Sequence, residues 1–317
     1  MSDAKGILFL YSESFLHPGA GSSTGAIDLP VQREAHTGYP VIAASGLKGS
    51  LRDLAERKVS QETVNGIFGS EVEKGKQDSG YAGALAVGDA KLIALPVRSL
   101  TRTFFWVTCP LALGRLARGL RNAGLAKDAE ITMDWKELEE PEPGAALVPS
   151  ECTTGERLFC EELDFNPVRD VRVTNLARFL AGQWTAPQIG KAYHDKLQCD
   201  LAVINNGDFG YLTRFGTQVS ARNKLTSRKT TGKIAVGDKT EEGNLWYEET
   251  LPPETIFYAS LFAEPARGGQ AQLASGEKVL EALESEVLTD RLLQIGGNET
   301  LGQGWCLTAL VKGGAAQ

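Results

Sequence analysis

Apolar positions fall in short runs punctuated by glycine, and their spacing changes from run to run. Residues 7–11, Ile-Leu-Phe-Leu-Tyr, are continuously apolar over a strand's length, which predicts a first strand. A Gly/Ser-rich loop, residues 17–25, follows and leads to Asp28-Leu29-Pro30. Leu47, Leu51 and Leu54 recur at i, i+4, i+7, which predicts a helix laying one face on a core, with Ser45 placed to cap its start. Residues 84–95 read as a strand interrupted at Gly88-Asp89, and residues 104–108 as another. Pro110 opens a helix with Leu111, Leu116 and Leu120 on its apolar positions and Arg115, Arg118 and Arg121 between them. Residues 214–246 are polar and rich in Gly, Thr and Lys, which suits a long hairpin leaving the body. Residues 278–293 predict an amphipathic helix with Leu280, Leu283, Val287 and Leu288 on one face, and residues 306–311 a closing strand. Short strands alternating with helices, without an internal repeat, predict an α+β body carrying long insertions.

A hydrophobic share of 42% over 317 residues is that of a soluble globular protein. No apolar run approaches the roughly 20 residues of a membrane span, and the first is too short for a signal-peptide core. The 5 cysteines match no zinc or redox spacing, which predicts free thiols in a reducing cytoplasm. Histidines 17, 36 and 194 are too scattered for a local metal motif. The net charge of -7 argues against nucleic acid until its distribution is read. Residues 128–164 hold 12 of the 40 acids and only Lys136 and Arg157 as bases, so the remainder is slightly basic. With its three prolines that segment reads as a peripheral, partly flexible insertion. Residues 91–127 and 214–233 contain basic residues and no acid, as phosphate-neutralising surfaces do. The alternative is a solvated surface whose acidic partners lie elsewhere in the chain.

Lys48 and Arg52, four apart in Ser45-x-x-Lys48-Gly49-x-x-Arg52, would share one face of a helix start, where free N–H groups favour a phosphate. The glycines around residues 17–25 and 296–304 match neither a phosphate-binding loop nor a dinucleotide fingerprint; those of 296–304 would let backbone approach another chain or RNA closely, or simply form a tight turn. Asp28 reads equally as a turn cap or a catalytic carboxylate, and His17 as a loop residue or a general base. The residues alone carry the reading to an α+β protein that binds RNA or DNA, with nuclease activity open.

The runs His17-Pro18-Gly19-Ala20-Gly21-Ser22-Ser23-Thr24-Gly25, Ile27-Asp28-Leu29-Pro30-Val31-Gln32-Arg33-Glu34 and Ser45-x-x-Lys48-Gly49-x-x-Arg52 resemble the Cmr-complex backbone subunit of type III-B CRISPR systems, in the RAMP superfamily. Residues 67–70, Asp89-Ala90, 106–110, 246–252 and the terminal glycine loop fit in order, so the resemblance spans essentially the whole chain. It implies a ferredoxin-like (RRM-like) palm in one RAMP domain, with a helical finger region over roughly residues 53–84 and a β-hairpin thumb over roughly residues 214–246. It implies binding of guide RNA and single-stranded target RNA, stacking of copies along the guide, and contact with other Cmr subunits. Ser45, Lys48, Gly49, Arg52, Arg222, Lys224, Arg228, Lys229, Gly302 and Gly304 are the candidate RNA contacts. The family's catalytic aspartate falls on Asp28, which would hold Mg²⁺ or Mn²⁺ while a neighbouring 2′-hydroxyl cuts the target at regular intervals. His17, Glu248 and Glu249 are candidate supporting groups. A non-catalytic guide-binding scaffold lacking the acid at 28, and a metal-independent CRISPR RNA-processing endonuclease using His17, are the alternatives.

Overall fold

The computed structural model describes residues 3–70, 80–125, 134–236 and 239–313. The chain begins with β1 (Ala4–Ser12) and passes through a long loop to β2 (Val41–Ile42), α1 (Ala44–Glu56) and α2 (Gln61–Phe68). β3 (Leu85–Val87), β4 (Ala90–Ser99) and β5 (Thr103–Thr108) lead to α3 (Pro110–Asn122). β6 (Ala145–Val148), β7 (Leu158–Cys160) and β8 (Leu163–Arg169) precede α4 (Val171–Ala181), α5 (Ala186–Ile189) and α6 (Lys191–Cys199). β9 (Leu201–Val203) and α7 (Asn206–Phe215) come before β10 (Gln218–Lys224), β11 (Lys233–Val236), β12 (Lys239–Glu242) and β13 (Asn244–Thr250). Then follow β14 (Ile256–Ala263), α8 (Gly276–Ala282), β15 (Leu292–Gln294) and β16 (Trp305–Lys312).

β1 lies antiparallel between β14 and β16. Successive side chains of a strand point to opposite faces, so its apolar run feeds two cores. Leu8 and Leu10 join Leu47 and Leu51 of α1 and Val279 and Leu280 of α8. Ile7, Phe9 and Tyr11 join Leu113, Leu116 and Leu120 of α3 and Leu176 and Leu180 of α4. Burying one such side chain contributes about 1.5–3 kcal/mol, which is why this strand reads as a continuous apolar run. The sheet extends in the order β15-β16-β1-β14-β4-β5-β9-β6-β8-β7, with β2 on β4 and β3 on β14. Its pairs are mixed, with β5–β9 and β6–β8 parallel, so the α+β class expected from the sequence is the one observed. No helix among the described residues is long and apolar enough to cross a membrane.

Several local expectations give way to tertiary context. Ser45 is not the cap of α1: Ala43 occupies that position, and Asp89 Oδ1 accepts the Ala44 N–H at 2.8 Å from across the fold. The helix expected over residues 278–293 ends at Ala282, widens into a π turn over Leu283–Val287, and reverses at Arg291 with φ 54°. Leu292 and Leu293 pair instead with Leu307 and Cys306, because the sheet edge buries Leu293. The acidic segment is edge sheet rather than a loose insertion where it is described: β6, β7 and β8 extend the far side, and Trp135 is fully buried against Phe179. Residues 128–133 of that segment, and 71–79 of the expected finger region, lie outside the described residues. In the 214–246 segment, Arg214 and Phe215 still belong to α7, and the outgoing and returning arms are β10 and β13, paired from Gln218↔Thr250 to Lys224↔Asn244. Beyond them β11 and β12 form a second ladder, and neither pair joins the main sheet.

Two groups make the packing testable. Asp200 is 1% exposed and accepts from Arg102 Nη2 at 2.8 Å and Lys196 Nζ at 2.6 Å. Asp200→Ala would leave those cations without their partner, and denaturant unfolding should show a loss of about 3–5 kcal/mol. Glu254, at φ 73° before β14, has Oε2 buried without a partner among the described residues, and burial pushes its carboxyl up to about 7. The folded state thus holds this proton more tightly than the unfolded chain does. Its stability contribution is complete below about pH 4.3 and is lost as pH rises through the folded value. Glu254→Gln should therefore stabilise by roughly 1–3 kcal/mol at pH 8 and change little at pH 4, read as the shift in Tm at each pH.

Candidate active site

The loop after β1 is pinned along its length rather than loosened by its glycines. Leu16 and Leu251 exchange backbone hydrogen bonds at 3.0 and 2.8 Å, and Gly19 bridges to Val31. The returning segment lies parallel to β13: Leu29 N–H donates to the Tyr247 carbonyl, and Glu249 N–H to the Leu29 carbonyl, each at 3.0 Å.

Glu249 anchors this arrangement from within. It is 2% exposed. Its Oε1 accepts from Arg33 Nη2 at 2.5 Å and Thr217 Oγ1 at 2.8 Å, and its Oε2 accepts the Val31 N–H at 3.0 Å. Arg33 Nη1 in turn donates to the Gly38 and Thr213 carbonyls. Glu248, on the opposite side of β13, accepts from Asn298 Nδ2 at 2.7 Å and from Arg222 Nη2 at 3.3 Å. Both carboxylates are engaged in holding loop, hairpin root and glycine loop together.

His17 Nδ1 lies 2.7 Å from the Glu249 carbonyl oxygen. A carbonyl only accepts, so Nδ1 carries the hydrogen, and in the neutral ring Nε2 is the acceptor. The residue is buried, and Gly297 N–H donates to its carbonyl at 3.1 Å. Gly296 has φ +80°, and a Cβ there would sit 2.4 Å from the His17 carbonyl oxygen, so this approach requires glycine. Asp28 attaches two residues along β13 from His17: its Oδ2 accepts the Tyr247 N–H at 2.7 Å. The residue is exposed, and Oδ1 has no hydrogen-bond partner among the described residues. The four groups singled out for chemistry thus converge on the root of one hairpin, with Asp28 the carboxylate that faces solvent. Among the described residues no three His, Cys, Asp or Glu converge on a metal position. One open carboxylate fits a hydrated ion that takes its other ligands from water and phosphate, and does not make a protein cage.

The RNA-contact candidates divide. Lys48 Nζ donates to the Leu85 carbonyl at 2.9 Å, and burial followed by the charge of Arg52 lowers its pKa. Arg52 donates to Glu56 and to the Gly69 carbonyl. These two side chains tie α1 to its neighbours, while Ser45 and Gly49 stand exposed beside them. In residues 91–127, Arg98, Arg102 and Arg115 meet Glu161, Asp200 and Glu34, partners remote in sequence. Arg118 and Arg121 of that stretch are exposed and have no acidic partner among the described residues, and the hairpin adds more such cations. Lys224, Arg228 and Lys229 are exposed and have no acidic partner among the described residues, whereas Arg222 turns to Glu248. Gly304 serves an internal turn, where a Cβ would meet the Ile295 carbonyl at 2.2 Å, and Gly302 is exposed with open space around it. Sequence reasoning passed over Arg33, Thr217 and Asn298. Arg33 stands in the run that carried the family resemblance, but nothing local points to a partner 216 positions away.

Comparison with known proteins places this geometry. The model of the RAMP superfamily matches residues 9–307. The CRISPR system Cmr endoribonuclease Cmr4 of Pyrococcus furiosus is 33% identical over 305 residues, covering 95% of this chain and 94% of the relative. The CRISPR system CMR subunit Cmr4 of Saccharolobus solfataricus is 26% identical over 318 residues, covering 93% of each. A crystal structure of oligomeric Cmr4 from Pyrococcus furiosus superposes with a TM-score of 0.66 at 29% identity, covering 98% of this chain and 99% of that one. The chain belongs to the RAMP superfamily, and within it to the Cmr4 backbone subunits of type III-B CRISPR complexes.

Proposed function

We propose that this chain is the repeating, target-cutting subunit of a type III-B CRISPR ribonucleoprotein in the cytoplasm. It binds guide RNA, stacks with copies of itself and with other Cmr subunits, and cleaves the RNA paired to the guide beside Asp28. The observation that carries this reading is the placement of Asp28: an exposed carboxylate, held by the Tyr247 N–H, at the root of a hairpin whose exposed cations have no acidic partner among the described residues. The whole-length relative from Pyrococcus furiosus is named an endoribonuclease, and its solved structure is of an oligomer.

In this reading the hairpin is the thumb. Lys224, Arg228 and Lys229 neutralise phosphates without reading sequence, leaving selection to base pairing. Wedged into the guide–target duplex, the hairpin splays one target nucleotide per subunit, which gives cleavage its regular interval. The splayed 2′-hydroxyl then attacks the adjacent phosphorus in line. The new bond is 2′-oxygen to phosphorus and the broken bond is phosphorus to 5′-oxygen, leaving a cyclic phosphate and a 5′-hydroxyl. Mg²⁺ or Mn²⁺ on Asp28 would offset charge on the phosphate. Glu249 and His17 position the loop, and positioning supplies much of the rate.

Asp28→Asn tests the chemistry while sparing the scaffold, because the asparagine carbonyl oxygen can still accept the Tyr247 N–H. In reconstituted complex it should lower cleavage on the order of 100-fold or more with target binding unchanged. EDTA should have the same effect and added Mg²⁺ or Mn²⁺ should reverse it. Joint loss of binding and cleavage would return Asp28 to a structural role. Deleting residues 227–232 tests the thumb: the protein should fold and retain part of its guide binding, and the regular ladder of products should disappear. A normal ladder would refute the assignment.

A further inference from the structure

A cleft of about 330 Å³ opens beside Asp28, walled by Ser22 and Ser23 on one side and by residues 244–246 of the hairpin on the other. Ligand cavities begin at roughly 300 Å³, so the cleft is of a size for one nucleotide. Its hairpin wall carries an unexplained group: Trp246 Nε1 is buried and has no partner among the described residues. A buried tryptophan N–H ordinarily finds an acceptor. Opposite Trp246 across the hairpin stands Arg222, whose Nε is likewise buried and unpartnered, and Lys224 stands opposite Asn244. Among the described residues, the only charge lining the cleft itself is the carboxylate of Asp28, which disfavours a free anion there. A neutral, planar group rich in acceptors, flanked by phosphates that meet the cations, satisfies all of these features. Aromatic platforms beside cationic side chains hold single-stranded nucleic acid in this way.

Resting on the reading that Asp28 marks the cutting site, we infer that Trp246 receives one unpaired nucleobase of the target strand in this cleft, setting the neighbouring phosphate beside Asp28. Every base carries acceptor atoms for the indole N–H and a π face to lie against the ring, so the contact works for any sequence.

The test uses assembled complex with guide RNA and a target carrying 2-aminopurine at the nucleotide flanking one cut. Fluorescence should be quenched on binding in both the wild type and the Asp28→Asn complex, and the quench should be lost in Trp246→Ala. An abasic site at that nucleotide should slow cleavage on the order of tenfold in the wild type and add nothing in Trp246→Ala. Equal quenching with and without Trp246, or additive effects of base and indole removal, would overturn the inference. Should Trp246→Ala fail to assemble, 5-iodouridine at the same nucleotide should photocrosslink to Trp246 in the unaltered chain. A crosslink solely to other residues, including those of a neighbouring copy, would overturn it. Indole-dependent quenching together with full cleavage by the Asp28→Asn complex would instead refute only the catalytic role of Asp28.

Discussion

A carboxylate removed from water must find its compensation inside the protein, and the site depends on how Glu249 finds it. Arg33, Thr217 and the Val31 N–H take up its oxygens. Removing one partner of such a pair costs about 3–5 kcal/mol, because the other charge stays buried alone. The pair therefore fixes the loop from residue 16 to 33 against the hairpin root. Strand geometry does the rest. With the Glu249 side chain drawn inward, its carbonyl meets His17 and the N–H of Tyr247 meets Asp28. The position of the solvent-facing carboxylate is set by backbone groups of a strand whose own register is locked by a buried ion pair.

The same economy of charge explains how a chain of net charge -7 serves an RNA complex. Two acids of the described edge segment sit against arginines of the body, Glu161 with Arg98 and Glu151 with Arg178. Such exposed pairs contribute little stability, but they remove both signs from the long-range field. Among the described residues, exposed cations without an acidic partner include Lys224, Arg228 and Lys229 on the hairpin and Arg118 and Arg121 on α3. Local field, rather than total charge, decides where a polyanion settles.

The parts legible in the sequence were those governed by local pattern. The apolar run of β1, the interruption at Gly88-Asp89 and the proline start of α3 all lie where spacing places them. Asp28, His17, Glu248 and Glu249 could be named as candidates, and they do meet at one place. The parts that were not legible depend on distant partners. Asp89 caps α1 from the turn between β3 and β4, a role that Ser45 seemed suited to by sequence alone. Lys48 and Arg52 have the spacing of a phosphate-binding face, yet backbone carbonyls of β3 and the α2 terminus claim them. Leu292 and Leu293 continue a helical period but are recruited by the sheet edge. The terminal glycines suggested close approach to RNA or another chain, and one of them, Gly296, makes its close approach within the chain, against His17.

The central claim is that a ribose hydroxyl placed beside Asp28 cuts the target strand. The most direct measurement is cleavage of targets carrying a single 2′-deoxy nucleotide, moved through each cut position in turn. The account predicts that only the band at the substituted position disappears, with the remaining products ending in cyclic phosphates. Undiminished cutting at a 2′-deoxy position, or products ending in a free 3′-hydroxyl, would contradict it.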